Sequence, residues 1–173
     1  MKKIISILFA AVTVSGFADT WTDPKTDITW TYTLDDGEVS VGGGIRSTPA
    51  ISKENTGSVT IPSTMAGYPV TAIGDYAFYY RSGLTSIKIP SSVKSIGANA
   101  FHYCSGLTSI KIPGSITSID DAAFINCSEL RKVLVTGSKN LEHIQELLAA
   151  AGVDFAKVTI EVAPPRAPTV IVH

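Results

Sequence analysis

Reactive side chains are few in this chain, and their spacing builds neither a catalytic set nor a metal site. The three histidines, His102, His143 and His173, fall on a repeat turn, a helical segment and the chain end. Zinc needs several ligands converging at about 2.0–2.3 Å, and the sequence has neither a Cys/His cluster nor a Glu beside paired histidines. Asp120 and Asp121 are adjacent where a turn residue is expected, and Glu142 and Glu146 stand four apart on what reads as the solvated side of a helix. No nucleophile is joined by a base and an orienting acid, so no catalysis is expected and no cofactor is implied.

The side chains that do suggest contacts come in matched pairs. Lys88 and Lys111, Thr85 and Thr108, and Cys104 and Cys127 are each 23 residues apart. The lysines read as neighbours on the outer face of adjacent strands, a place that invites an anion but more commonly serves solubility. Tyr76, Tyr79, Tyr80, His102 and Tyr103 form an aromatic set that would serve as contact hot spots for a protein or a sugar, or else pack against the neighbouring coil. One turn apart, Cys104 and Cys127 would have Cα atoms about 5 Å from each other, within reach of a disulfide; two buried thiols packed as small apolar groups are the expected state.

These spacings are the period of an internal repeat. Gly83 to Ser105 runs into Gly106 to Ser128 without a gap, and the two segments agree at 15 of 23 positions. A period of this length means stacked supersecondary units. Ile61-Pro62, Ile89-Pro90 and Ile112-Pro113 mark one side of each unit, and Ala77-Phe78, Ala100-Phe101 and Ala123-Phe124 the other. Three units are therefore recognisable, the first lengthened by five residues, Met65 to Pro69, expected to bulge outward as a loop.

Leu84, Ile87 and Ile89 follow the inward pattern of a short strand that the proline closes, and Val93 and Ile96 return to the interior before the bend at Gly97 or Asp120. Ala100, Phe101 and Cys104, at spacings of one and three, suggest a single helical or 3₁₀ turn. Stacking coils about 4.8 Å apart would put Phe78, Phe101 and Phe124 in one column and Ile73, Ile96 and Ile119 in another.

The strand, bend and Ala-Phe-x-x-Cys turn of Ser58 to Val135 resemble BspA-like leucine-rich repeats, and Ile28 to Ile45 resembles the leader that often precedes them. The resemblance implies a mainly β leucine-rich-repeat solenoid with short helical turns, about three 23-residue repeats long. It also implies a secreted or surface protein that acts by adhesion.

An open solenoid needs caps. Trp30, Tyr32 and Leu34, the turn Asp35-Asp36-Gly37, then Val39 and Val41 predict a hairpin over the first coil. Leu141, Ile144, Leu147 and Leu148 predict a helix over about Asn140 to Ala151, N-capped by Ser138 and stopped by Gly152, with a last strand through Val158, Ile160 and Val162. After the fourth strand, Leu130 to Val135, which lacks Ile-Pro and Ala-Phe, the repeats are expected to end.

With 173 residues, 45% apolar and 17% charged, the chain has room for one folded domain, and its net charge of −1 argues against nucleic acid as partner. Lys2-Lys3, the apolar run Ile4 to Val14 and the small residues up to Ala18 read as an export signal, too short to span a membrane. The expected organisation is a signal peptide (1–18), an N-terminal cap (19–57), repeats (58–136), a C-terminal cap (137–163) and a proline-rich tail (164–173). No membrane insertion is expected after cleavage, and the product would be extracellular, surface-bound or periplasmic. The reading favours an exported, non-catalytic module binding a protein, with a carbohydrate as second ligand class. A vestigial piece of a larger repeat protein is the main alternative, and a secreted hydrolase the least favoured.

Overall fold

The computed structural model describes residues 17–45, 48–137 and 141–163. The signal over its first 16 residues, Ser138 and the tail from Pro164 lie outside the described residues. The N-terminal cap holds β1 (Ala18–Thr22), β2 (Thr29–Asp35) and β3 (Glu38–Val41). The coils contribute β4 (Gly57–Thr60), β5 (Thr64–Met65), β6 (Tyr68–Ile73), β7 (Leu84–Lys88), β8 (Ser95–Ile96), β9 (Ser109–Pro113), β10 (Ser118–Ile119) and β11 (Lys132–Thr136). Helix α1 (Leu141–Ala150) and β12 (Thr159–Val162) close the chain.

Two sheets run along the stack. The leucine–isoleucine strands form a five-stranded parallel sheet in the order β12-β11-β9-β7-β4, and the return strands form β3-β6-β8-β10, joined at β3 to the antiparallel hairpin β1–β2. Leu84, Ile87, Ile89, Val93 and Ile96 all turn inward and are buried. The phenylalanine column is present: Phe78 stacks on Phe101 and Phe101 on Phe124, each pair at 5.1 Å and within 9° of parallel. Ile73, Ile96 and Ile119 lie in register through β6, β8 and β10.

The turn that carries each phenylalanine is not helical. Amides alternate: Tyr76, Phe78 and Tyr80 donate to Ala98, Ala100 and His102 of the next coil, while Ala77, Tyr79 and Arg81 donate to Gly74, Tyr76 and Phe78 of their own. A 3₁₀ turn would use every amide internally and leave the coils unzipped. The alternation requires left-handed backbone at Tyr76 and Tyr80, repeated at Asn99 and Tyr103 and at Ala122 and Asn126, with φ of 55–62° throughout. Spacing alone cannot distinguish this from a helical turn.

Three other expectations change. The five-residue insertion is a tight hairpin rather than a loose loop, because Ala66 and Gly67 both adopt positive φ and turn β5 back on β6, burying Met65. The stack does not end at β11: β12 adds a parallel rung, giving about four turns, while α1 takes the place of the next return strand. Phe124 N donates to Ala151 O as Phe101 N does to Ala123 O, so Gly152, at φ 93°, stands where another phenylalanine would. A third strand in the N-terminal cap, β1, was not anticipated.

No disulfide joins Cys104 and Cys127. Each thiol instead turns along the stack and donates to a carbonyl of the preceding coil, Cys104 Sγ to Phe78 O at 3.0 Å and Cys127 Sγ to Phe101 O at 3.1 Å. Arg81 Nε makes the equivalent bond to Ile51 O. Coils also meet at Gly106, where a Cβ would stand 2.2 Å from the Ser82 carbonyl oxygen.

Replacing Phe101, the middle ring, by Ala should cost about 3–5 kcal/mol in a urea titration. Burial pushes the Cys127 thiol up to about 12, and burial followed by the nearby Cys127 pushes Cys104 up as well. The folded chain therefore holds both protons above pH 9 while the unfolded chain releases them. Stability should fall as pH rises from 8 to 10.5, by up to about 1.4 kcal/mol per pH unit for each thiol. The double variant Cys104→Ala with Cys127→Ala should lose that part of the slope.

Candidate functional site

The turn edge gathers the whole aromatic set. The left-handed seats at Tyr80 and Tyr103 point both rings out of the coil, and one period of translation stacks them at 4.5 Å and 14°. His102 stacks on Tyr103 at 4.6 Å and 4°, so Tyr103 lies between Tyr80 and His102. Tyr79 packs edge-on against all three and against Tyr76.

The imidazole is held in one tautomer. Asn126 Nδ2 donates to His102 Nε2 at 3.2 Å, leaving Nδ1–H to donate to Asn99 Oδ1 at 2.5 Å. His102 is thus anchored through both ring nitrogens at one end of the stack. Tyr80 is 53% exposed and Tyr103 38% exposed. Desolvation by its neighbours, then the Tyr103 and Tyr79 groups, push the Tyr80 phenol above its ordinary value, so it presents a neutral hydroxyl at physiological pH.

The second surface is the outer face of the five-stranded sheet. Lys88 pairs with Lys111 in register, with Thr60 before them and Leu134 and Glu161 after. The neighbouring row is Ser58, Ser86, Ser109, Lys132 and Thr159. Among the described residues neither Lys88 nor Lys111 makes an ion pair, whereas Lys132 reaches Glu161 at 2.7 Å. Thr85 and Thr108 are exposed, but the Thr108 hydroxyl donates to the Thr85 carbonyl and so links coils. The aromatic rings sit on turns that precede β7 and β9, and the lysines lie at or near the far ends of those strands. About five strand residues, roughly 16 Å, separate the two groups.

A cleft of about 260 Å³, missed in the sequence, opens where the last coil meets the C-terminal cap. Phe124, Asn126, Cys127, Gly152, Asp154 and Lys157 are among its walls, and Asp154 pairs with Lys157 at 3.1 Å. Its residues come from segments about 25 positions apart and share no motif, so nothing in the sequence marks it. Asp120, Asp121, Glu142 and Glu146 are all exposed, with Glu146 4.0 Å from His143 Nδ1. Among the described residues no cluster of three metal-ligating side chains exists, and no helix is long and apolar enough to cross a membrane.

Known proteins match this architecture. The model of the BspA-type leucine-rich repeat region matches residues 50–161 in six copies. A leucine-rich repeat protein of T. pallidum is 26% identical with a TM-score of 0.54, over 61% of this chain and 50% of that one. A leucine-rich cell surface protein of Faecalibacterium prausnitzii is 30% identical with a TM-score of 0.51, over 75% and 35%. A leucine-rich repeat protein of Bacteroides capillosus is 25% identical with a TM-score of 0.53, over 78% and 94%. This chain therefore spans half the length of the first and about a third of the second. Among curated proteins no relative matches. A match over residues 50–161, on coils whose strands, bends and Ala-Phe turns occupy equivalent places, shows that the chain belongs to the BspA-type leucine-rich repeat family.

Proposed function

We propose that this chain is an exported, non-catalytic module that binds a protein partner through the aromatic edge of its solenoid. The observation that carries the reading is the exposed Tyr80–Tyr103–His102 stack. Left-handed backbone costs a tyrosine about 1 kcal/mol or more, and Asn126 occupies the same seat in the third coil at φ 62°. Two tyrosines held outward at such seats are what a contact hot spot requires. Family membership supports a surface repeat module, and the F. prausnitzii relative is described as a cell surface protein.

The ring arrangement favours a protein over a sugar. A sugar stacks on an open aromatic face, but Tyr103 has a ring on each side and Tyr79 packs edge-on 4.6 Å from Tyr80. Edges and hydroxyls are what the stack offers, and these suit a peptide surface. The lysine pair is assigned to solubility and guards the sheet face against association.

Export is supported by Lys2-Lys3 and the apolar run Ile4 to Val14, with β1 beginning at Ala18. N-terminal sequencing of the exported product should begin at Asp19.

The binding test uses that product against immobilised extracellular-matrix and host surface proteins. Tyr80→Asn with Tyr103→Asn keeps a residue suited to the left-handed seats and should weaken binding at least about 30-fold. Lys88→Glu with Lys111→Glu should change it less than about threefold. An aromatic double variant that binds as tightly as the parent overturns the proposal.

A further inference from the structure

Arg81 stands apart in the stack by its charge. The equivalent places in the next two coils hold Cys104 and Cys127, and all three side chains make the same bond, each donating to a carbonyl one coil back. A thiol would therefore satisfy Ile51 O at this position, and the guanidinium adds a positive charge that the coil does not neutralise. Arg81 is half-buried, its Nε donates to Ile51 O at 2.9 Å and its Nη1 to Tyr79 O at 3.4 Å. Among the described residues no carboxylate lies within ion-pair distance of it, Glu54 on the adjoining turn included. Nη2 bonds to no protein group and is not shut away from solvent. Burial holds the guanidinium below its ordinary value, as expected of a cation partly stripped of water with no counter-charge beside it.

The charge lies at one end of the aromatic stack. Tyr80 gives one face to Tyr103 of the following coil, whereas its chain neighbour Arg81 reaches back to Ile51 in the preceding segment. Tyr79, whose carbonyl Arg81 holds, packs edge-on against Tyr80 at 4.6 Å. Exposed aromatic surface and an uncompensated guanidinium thus adjoin. We infer that the protein partner brings an acidic side chain to Arg81, an Asp or Glu carboxylate next to an apolar residue that lies on Tyr80 and Tyr103. The inference rests on the reading of the aromatic edge as the contact surface and names the chemistry that surface selects. A guanidinium N–H donating to a carboxylate makes a charge-assisted hydrogen bond, roughly twice as strong as a neutral one. A cation that folding has already partly desolvated gives up less water when the acid arrives, which favours the pair. Lys88 and Lys111 do not belong to this contact, since they lie roughly 16 Å away along the strands.

The test is an NMR titration of the isotope-labelled chain from Asp19 to His173 with two pentapeptides blocked at both ends. One carries a glutamate on each side of a central leucine between terminal glycines, and the other has glutamine in place of both glutamates. The acidic peptide should bind with a Kd of about 1 mM or below, at least about 10-fold more tightly than the neutral one. In the parent chain the Arg81 Nε–Hε signal should move with the acidic peptide and not with the neutral one, a reading that requires no substitution. Arg81→Cys installs the residue of the next two coils and should erase the preference while leaving the rest of the amide spectrum in place. Lys88→Glu with Lys111→Glu should keep it. Equal binding of the two peptides, binding of neither, or a preference that survives Arg81→Cys or vanishes with the lysines overturns the inference. Each of those outcomes leaves the aromatic-edge reading standing, because that reading is decided by Tyr80→Asn with Tyr103→Asn against the matrix and surface proteins.

Discussion

Alternation of backbone amides within each Ala-Phe turn is the constraint on which the rest depends. One amide closes the turn, the next reaches to the following coil, and the pattern repeats for six residues in both central units. It makes the turn edge a third ladder beside the two sheets, so each coil is hydrogen-bonded to its neighbour around its circumference. The cost is left-handed backbone at two positions per coil, occupied here by Tyr, Asn and Ala rather than glycine. Stacking of like side chains inside the coil offsets that cost: the phenylalanines meet face to face because the zipper holds their backbones one rung apart.

The same geometry disposes of the polar groups that a stack would otherwise strand. Each thiol, and Arg81 in the first coil, donates to the carbonyl of the aromatic or aliphatic residue one coil back. A guanidinium and a thiol are chemically unlike, yet either satisfies that carbonyl, which explains how the first unit departs from the Cys pattern without a break in the stack. Trp30 meets Phe78 edge-on at 6.4 Å at one end of the column, and Gly152 ends it at the other.

Much of this was legible in the residues. The period placed the phenylalanine and isoleucine columns, and alternation around Asp36-Gly37 placed the hairpin. Helical spacing of Leu141, Ile144 and Leu148 placed α1. What escaped reading did so for physical reasons. β1 packs only Trp21, half-buried, against the core, so it shows no alternation. Val158, Ile160 and Val162 marked β12 as a strand but not as a further rung of the stack, because it carries neither the Ile-Pro nor the Ala-Phe anchor of the period. The Ala-Phe-x-x-Cys spacing fits a helical turn as well as the alternating one, and only backbone dihedrals separate them. Of the aromatic set, residue type was readable, but the sandwich of Tyr103 between Tyr80 and His102 depends on an exact one-rung translation. The cleft at the cap had no sequence trace at all.

Hydrogen bonds that run from coil to coil lie along the rod, and this has a mechanical consequence. Force applied between the ends loads those bonds one coil at a time, as in opening a zip, rather than shearing a whole sheet at once. Each coil that yields frees 23 residues of slack, roughly 80 Å of chain. A tether of this construction lengthens in discrete steps when pulled and rebuilds the same rung when released.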